Sequence, residues 1–366
     1  MPYIHEHAEW PNLKWDETKL SQLLSDTRFL QGTLAGKMQA IGFSEKNEAN
    51  LQTLTSDIIK SSEIEGEKLN LGSVRSSVAR RLGIDIAGAS PSDHNVEGIV
   101  EMMLDATQKY SEPLTIERLF SWHAALFPTG RSGMYKINVG SFRDDKKGPM
   151  QVISGNIGRE KIHFEAPAAE KLRDEMSVFV DWYNTQKIDP LIKAAVAHIW
   201  FLTIHPFDDG NGRMARALTD LLLARSENSS QRFYSLSSQI YTERESYYNN
   251  LEESQKGGTD ITTWVSWFLN CLSKAIGNSE QALANVLSKS QFWQTHAKLN
   301  FNERQKKILT LLQENFNGNL TSSKWAKLGK CSQDTAGRDI EDLIKKNILL
   351  KKGDGRSTHY VLLNSD

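Results

Sequence analysis

Twelve consecutive residues carry the densest chemistry in the 366-residue chain: His205-Pro206-Phe207-Asp208-Asp209-Gly210-Asn211-Gly212-Arg213-Met214-Ala215-Arg216. Proline disfavours helical geometry in the residue before it, so the apolar helix running from Leu191 stops at His205 and leaves the imidazole at a helix end. Gly210 and Gly212 permit close backbone approach. The helix that begins near Arg213 turns unpaired amide donors and its positive dipole end back into the loop. Arg213 and Arg216, three residues apart, share a face and can grip phosphate oxygens. Asp209 supplies the hard oxygen that a Mg²⁺ shared with a triphosphate requires. An imidazole with a reference pKa of about 6.5 can take a proton from an incoming hydroxyl near neutral pH. The reaction these groups imply is attack by a hydroxyl on phosphorus.

Taken together the twelve residues resemble, position for position, the signature of the Fic family, His-x-Phe-x-(Asp/Glu)-Gly-Asn-Gly-Arg-x-x-Arg. The resemblance extends over residues 115 to 275 and includes Ser141-Phe142-Arg143 and the stretch from Tyr247-Tyr248 to Trp267. It implies a helical core with a β-hairpin flap, and transfer of AMP from ATP to a Ser, Thr or Tyr hydroxyl of a target protein. Residue by residue it implies His205 as the base, Asp209 as the Mg²⁺ ligand, and Gly210, Asn211 and Gly212 as the phosphate-binding backbone. Arg213 and Arg216 are then the holders of the distal phosphates, and Tyr248 lies near the nucleoside. Gln255 stands where related proteins often have Asn, at the adenine contact. Val152, Ile153 and Ser154 fall on the flap, whose free strand edge could pair with an extended target segment and present its hydroxyl to His205.

Upstream, Ser61-Ser62-Glu63-Ile64-Glu65-Gly66 reads by itself as a helix C-terminus capped by Gly66. It also resembles that family's inhibitory motif, (Ser/Thr)-x-x-x-Glu-(Gly/Asn). The resemblance assigns Ser61, Glu65 and Gly66 to a built-in restraint. Charge competition would explain it: a forked ion pair of Glu65 with Arg216 keeps that arginine from the terminal phosphate.

These groups need elements to position them, and helical periodicity dominates. A helix from Glu45 to Glu65 places Leu51, Leu54, Ile58 and Ile59 on one stripe, and further helices are predicted over 93–110, 115–127, 168–186, 190–205, 212–226 and 259–276. Gly83 to Pro91 reads as a connector, and Met150–Ile153 with Lys161–Phe164 as a hairpin carrying a long insert, Asn156 to Lys161. The predicted organisation is an N-terminal helical domain over 1–85 with the inhibitory helix, a catalytic domain over 86–290, and a final domain over 300–366. The fold class is all-α with a small β-hairpin flap, plus a C-terminal winged helix-turn-helix.

That final block reads as three helices and a Gly-tipped hairpin, and from residue 302 it holds twelve Lys and Arg against eight Asp and Glu. The surplus of positive charge allows DNA contact through Thr335, Arg338 or Arg356, since phosphate neutralisation drives such binding. Packing on a partner, or pairing of two copies of the chain, is the alternative use of such a module.

Over the whole chain the formal net charge is −1, so no global field directs it to nucleic acid or lipid. The longest apolar run, Ala194 to Ile204, is about half of the ~20 residues a membrane span needs. The N-terminus lacks a signal-peptide pattern, and both cysteines, Cys271 and Cys331, read as structural, which places the chain in the cytoplasm. Gly32-Thr33-Leu34-Ala35-Gly36-Lys37-Met38 is one residue short of a P-loop, and His198 and His205 do not form a zinc pattern. Two other functions use the same residues: hydrolysis of AMP from a modified protein with Glu65 orienting water, and a DNA-binding regulator that senses nucleotide without turnover. An intact His205 argues against the second, because a sensor needs the cradle but not the base.

Overall fold

The computed structural model describes all residues except 1, 40, 87–90, 92–93, 147, 156–158, 160, 314–315, 317 and 364–366. The chain forms two compact units, residues 1–284 and 285–366. Part of the connector at 83–91 and most of the insert at 156–161 lie outside the described residues, as does the side chain of Arg356.

The first unit opens with α1 (Glu17–Gln39), α2 (Phe43–Ile64), α3 (Leu71–Leu82), α4 (His94–Gln108) and α5 (Ile116–Leu126). A two-residue pairing of β1 (Arg131–Ser132) with β2 (Tyr135–Lys136) follows, then the antiparallel hairpin of β3 (Gln151–Ser154) and β4 (Lys161–Glu165). The helices resume as α6 (Leu172–Thr185), α7 (Pro190–Ile204), α8 (Asn211–Glu227), α9 (Leu236–Thr242), α10 (Arg244–Gln255) and α11 (Thr262–Thr295), whose residues from 285 on belong to the second unit. The last of these runs well past the predicted end at residue 276. Between 277 and 295 there is one glycine and no proline, and a single glycine weakens a helix by only about 1 kcal/mol.

The core is built around α7. Asp189 caps its start, accepting from the Leu191 and Ile192 N–H groups, and Pro190 occupies the first turn where its missing donor costs nothing. Every residue from Leu191 to Ile204 is buried, the pattern of a helix enclosed on all sides. The apolar run at 194–204 is therefore a central core helix, and among the described residues no helix is long and apolar enough to cross a membrane. Two polar members are accommodated by bonding: Lys193 donates to the Gln186 carbonyl (2.7 Å), and His198 meets Thr219 Oγ1 (2.9 Å) and Tyr247 OH (3.0 Å). Burial pushes the His198 pKa down to about 3, so its ring is neutral.

Packed on α7 is α8, which carries the arginines, and α2 crosses both α8 and α9. A buried charge network sets where α2 lies. Arg232 reaches Asp57 of α2 (2.6 Å) and Asp220 of α8 (2.6 Å), while Asp57 Oδ1 also accepts from Ser235 Oγ (2.7 Å) and the Ser237 N–H (3.1 Å). All three charged groups are almost fully buried, so the arrangement holds only when each has its partners.

The second unit contains α12 (Glu303–Gln313), α13 (Ser322–Gly329), α14 (Gln333–Lys345) and an antiparallel hairpin of β5 (Leu349–Lys352) with β6 (His359–Leu362). Its separate core joins Ile308, Leu309, Leu320, Trp325, Ile340, Leu343 and Ile348. Thr321 and Ser332 cap α13 and α14 through their hydroxyls.

Candidate active site around His205

His205 ends α7 in a left-handed conformation with φ of 50°, a backbone state that costs a non-glycine residue roughly 1–2 kcal/mol. Arg143, itself buried, holds this strained corner. Its Nε donates to the His205 carbonyl (2.8 Å), its main-chain N–H donates to the Pro206 carbonyl (3.0 Å), and Asp145 pairs with its Nη1 (2.7 Å). The imidazole Nδ1 bonds the Leu202 carbonyl (3.2 Å) and must be the donor there, so Nε2 carries the lone pair. Burial lowers the ring's pKa to about 4, with nearby Arg143 acting in the same direction and Glu65 and Asp209 opposing it. At neutral pH His205 is therefore an uncharged proton acceptor.

The loop after it is closed by its own side chains. Asn211 Nδ2 donates to the Phe207 carbonyl (2.8 Å), and Asn211 Oδ1 accepts from the Phe207 N–H (3.1 Å). Phe207 stacks on the buried His123 ring (centroids 4.3 Å apart), and His123 bonds the Asp209 carbonyl (3.2 Å) through Nε2 and the Gly140 N–H (3.1 Å) through Nδ1. The two adjacent acids have different fates. Asp208 accepts from the Asn138 N–H (2.7 Å), whereas Asp209 meets Ser132 Oγ and the Gly210 N–H. No group of three His, Cys, Asp or Glu forms a metal cluster among the described residues. Asp209 is a lone carboxylate, a donor set that fits a cation such as Mg²⁺, which keeps most of its octahedron for water and phosphate oxygens.

Gly210 is the N-cap of α8, so the first-turn amides of Asn211, Gly212 and Arg213 face the loop. The two arginines that follow are almost fully buried, Arg213 at 4% and Arg216 at 1% exposure. Arg216 Nε donates to Ser61 Oγ (2.9 Å), and Nη2 donates to the Ser61 carbonyl (2.8 Å) and to Glu65 Oε1 (2.7 Å). The forked Glu65–Arg216 pair expected from the sequence is thus a single contact on Nη2, which Glu65 shares with the Ser61 carbonyl while Ser61 Oγ takes Nε. Glu65 also presses on the helix start: a methyl group placed on Gly212 would lie 2.1 Å from Glu65 Oε1. Arg213 is held differently, by Glu67 at 2.7 Å, and lies over the Phe127 ring. Each arginine keeps one buried N–H without an acceptor among the described residues, Nε of Arg213 and Nη1 of Arg216. Both lie on the first turns of α8, where an acceptor-rich ligand would satisfy them.

Beside the cradle lies a cavity of about 770 Å³. His205, Gly212 and Glu65 form one end, Val152, Ile153 and Ser154 of the hairpin form a wall, and Tyr248 and Gln255 of α10 face them. Its volume falls in the ordinary range for small-molecule sites. Gln255 is buried, with its amide on Thr203 Oγ1 (3.4 Å), and Tyr248 OH bonds the Ile64 carbonyl (3.4 Å) at the end of α2. His163 ties the hairpin to α10 by bonding Ser154 Oγ (2.5 Å) and Glu252 (2.5 Å). Of the site residues singled out from sequence, Glu65, Val152, Ile153, Ser154, His205, Gly212, Tyr248 and Gln255 line this cavity, and Ser61 reaches Arg216 of the adjoining cradle. Sequence reasoning passed over Glu67, Ser132, His123 and the role of Arg143. Only Glu67 left a local trace, as a second acid two residues beyond Glu65.

Residues 113–223 match the Fic/DOC family, and residues 3–84 match a domain of unknown function (DUF4172). Protein adenylyltransferase fic-1 of Caenorhabditis elegans is 31% identical over 166 residues, covering 44% of this chain and 30% of that protein. Protein adenylyltransferase Fic of Aedes aegypti is 26% identical over 272 residues, 71% of this chain and 47% of that protein. The chain thus spans less than half the length of these curated relatives. Among solved structures, a Fic family protein from Desulfovibrio desulfuricans superposes over 95% of this chain and 96% of its own (TM-score 0.52, 19% identity). A Fic domain containing signaling protein from Bacteroides thetaiotaomicron covers 71% of this chain and 97% of its own (TM-score 0.53, 20% identity). These likenesses establish the mainly helical fold.

Proposed function

Because the chain carries a Fic/DOC domain over residues 113–223, we propose that it transfers AMP from ATP to a Ser, Thr or Tyr hydroxyl of a target protein, with Glu65 as a built-in restraint. The observation that carries the reading is the pairing of two buried, incompletely bonded arginines on the first turns of α8 with an uncharged imidazole that lines the neighbouring cavity.

In this reading the phosphates of ATP lie against the first-turn amides of α8, where backbone donors and the helix dipole favour an anion. Arg213 and Arg216 hold the distal phosphates, and the nucleoside occupies the space between Tyr248, Gln255 and the hairpin. Asp209 is the residue that would hold a Mg²⁺ shared with the phosphates, and such an ion would supply positive charge toward the departing diphosphate. A target segment pairs with the edge of Val152–Ser154 and brings its hydroxyl to His205. Nε2 takes the proton, the hydroxyl oxygen bonds the α-phosphorus, and the bond to the β-phosphate oxygen breaks.

Glu65 opposes this by holding Arg216 and by placing a carboxylate at the helix start where a phosphate would lie. The test is incubation of wild type, Glu65→Gly and His205→Ala with labelled ATP and cell lysate. Glu65→Gly labels proteins more strongly than wild type, and His205→Ala labels none. Equal labelling by wild type and Glu65→Gly rejects the restraint, and labelling by His205→Ala rejects the mechanism. A parallel arm with an AMP-modified protein measures the reverse hydrolysis.

A second reading concerns residues 285–366, for which we propose winged-helix contact with DNA. Its support is the basic balance of the block and the exposure of Arg338 on α14. Duplex affinity should fall steeply with salt, and binding that is absent at low salt removes this reading.

A further inference from the structure

The turn that ends α2 carries two acids, and they reach two different arginines. Glu65 caps α2, its N–H bonding the Ser62 carbonyl (3.1 Å). Gly66, with φ of 84°, turns the chain back so that the Glu67 N–H bonds the same Ser62 carbonyl (3.0 Å). That reversal sends the two carboxylates to the same end of α8. Glu65 Oε1 meets Arg216 Nη2 at 2.7 Å, and Glu67 Oε2 meets Arg213 Nη1 at 2.7 Å. Arg213 has few alternatives: its side chain is 5% exposed, it lies over the Phe127 ring, and its Nε has no acceptor among the described residues.

We propose that Glu67 is a second restraint on the same cradle, occupying Arg213 as Glu65 occupies Arg216. This rests on the nucleotide-binding reading of the cradle given above. An incoming triphosphate then meets two guanidinium groups already neutralised, and two carboxylates that repel its own charge. Removing Glu65 alone leaves Arg213 paired, so release of the site is graded. Loss of the whole turn, which moves both acids together, frees more of the cradle than loss of either. The Glu67 side chain is 48% exposed against 31% for Glu65, so water screens its pair more strongly and its effect is the smaller of the two.

The experiment compares wild type, Glu67→Gln, Glu65→Gly and the double variant by calorimetric titration with MgATP and, separately, with AMP. Glutamine keeps the shape of the half-exposed Glu67, and a thermal melt of each variant checks that it is folded at the temperature of the titration. The expected result is that Glu67→Gln tightens MgATP by about threefold to fivefold in both the wild-type and the Glu65→Gly backgrounds, the factor a partly exposed ion pair supports. AMP, which lacks the distal phosphates, should change by less than about twofold. MgATP affinity unchanged by Glu67→Gln in both backgrounds, while Glu65→Gly still tightens it, overturns the role of Glu67 and leaves the nucleotide site standing. Equal tightening of MgATP and AMP also overturns it, because the effect would not then pass through the phosphate grip. No binding of MgATP by any of the four proteins overturns both this inference and the reading beneath it.

Discussion

Glu65 and Arg216 are 151 residues apart in sequence and 2.7 Å apart in the folded chain, joined by one oxygen and one nitrogen. Ser61 takes two further bonds from the same guanidinium. Burial works against the arginine's charge, and Glu65 together with the Tyr247 and Tyr248 hydroxyls outweighs it, raising its pKa above the ordinary value. In the proposed site Arg216 is an anion holder diverted to an internal carboxylate, with Nη1 still lacking an acceptor among the described residues.

Replacing that arginine should therefore be costly once the diversion is gone. In a Glu65→Gly background, Arg216→Ala should lower kcat/KM for ATP by about 10-fold to 100-fold, the worth of one or two hydrogen bonds to a charged group. Steady-state labelling across ATP concentrations measures this. A loss under threefold would show that Arg216 does not hold the nucleotide.

The pH dependence follows from the state of His205. Its uncharged form is the proton acceptor, and its folded pKa of about 4 lies below the 6.5 of an ordinary histidine. The acid limb of kcat/KM should accordingly fall well below pH 6, and a midpoint near 6.5 would contradict the buried, lone-pair-bearing ring. The same shift acts on stability. Between pH 6.5 and about 4 the unfolded chain binds a proton that the folded chain refuses, so His205 contributes stability above that window that is lost as pH falls through it.

In the proposed site Gly212 leaves room for phosphate by having no side chain. A methyl there would stand 2.1 Å from Glu65 Oε1 and 3.3 Å from Arg216 Nη1. Gly212→Ala should expel the Glu65 carboxylate yet give no active protein, since the methyl group obstructs phosphate at the same point. Combined with Glu65→Gly, it should reduce MgATP binding by about 10-fold or more, on the scale of overpacking costs of 1–3 kcal/mol. Labelling equal to that of Glu65→Gly alone would show that phosphate does not approach Gly212.

Asp57 acts at a distance from the cavity. Removing it leaves Arg232 buried with only Asp220 for an ion-pair partner among the described residues, and strips the acceptor from Ser235 and Ser237. Asp57→Ala should cost about 3–5 kcal/mol in denaturant unfolding, the range for breaking a buried ion pair. In the surviving folded fraction, labelling should rise because α2 no longer holds Glu65 in place. An unchanged unfolding midpoint would mean that the network does not secure α2.

Much of this protein was legible without its structure wherever the governing physics is local. Pro206 stops α7 at His205, Asp189 and Pro190 start it, and the glycines and arginines of 210–216 are neighbours along the chain. The hairpin and the central helices declare themselves by periodicity. The tertiary structure decided what depends on partners distant in sequence: that Arg143 clamps the His205 corner, that His123 supports Phe207, and that Asp57 and Arg232 bind α2 to α8. It also decided that Ser61 shares Arg216 with Glu65 and that Glu67 takes Arg213. Residue type states which charges can pair, but which of them do is determined by packing. Buried arginines donate to the carboxylates that the packing of α2 and its following turn against α8 brings within reach.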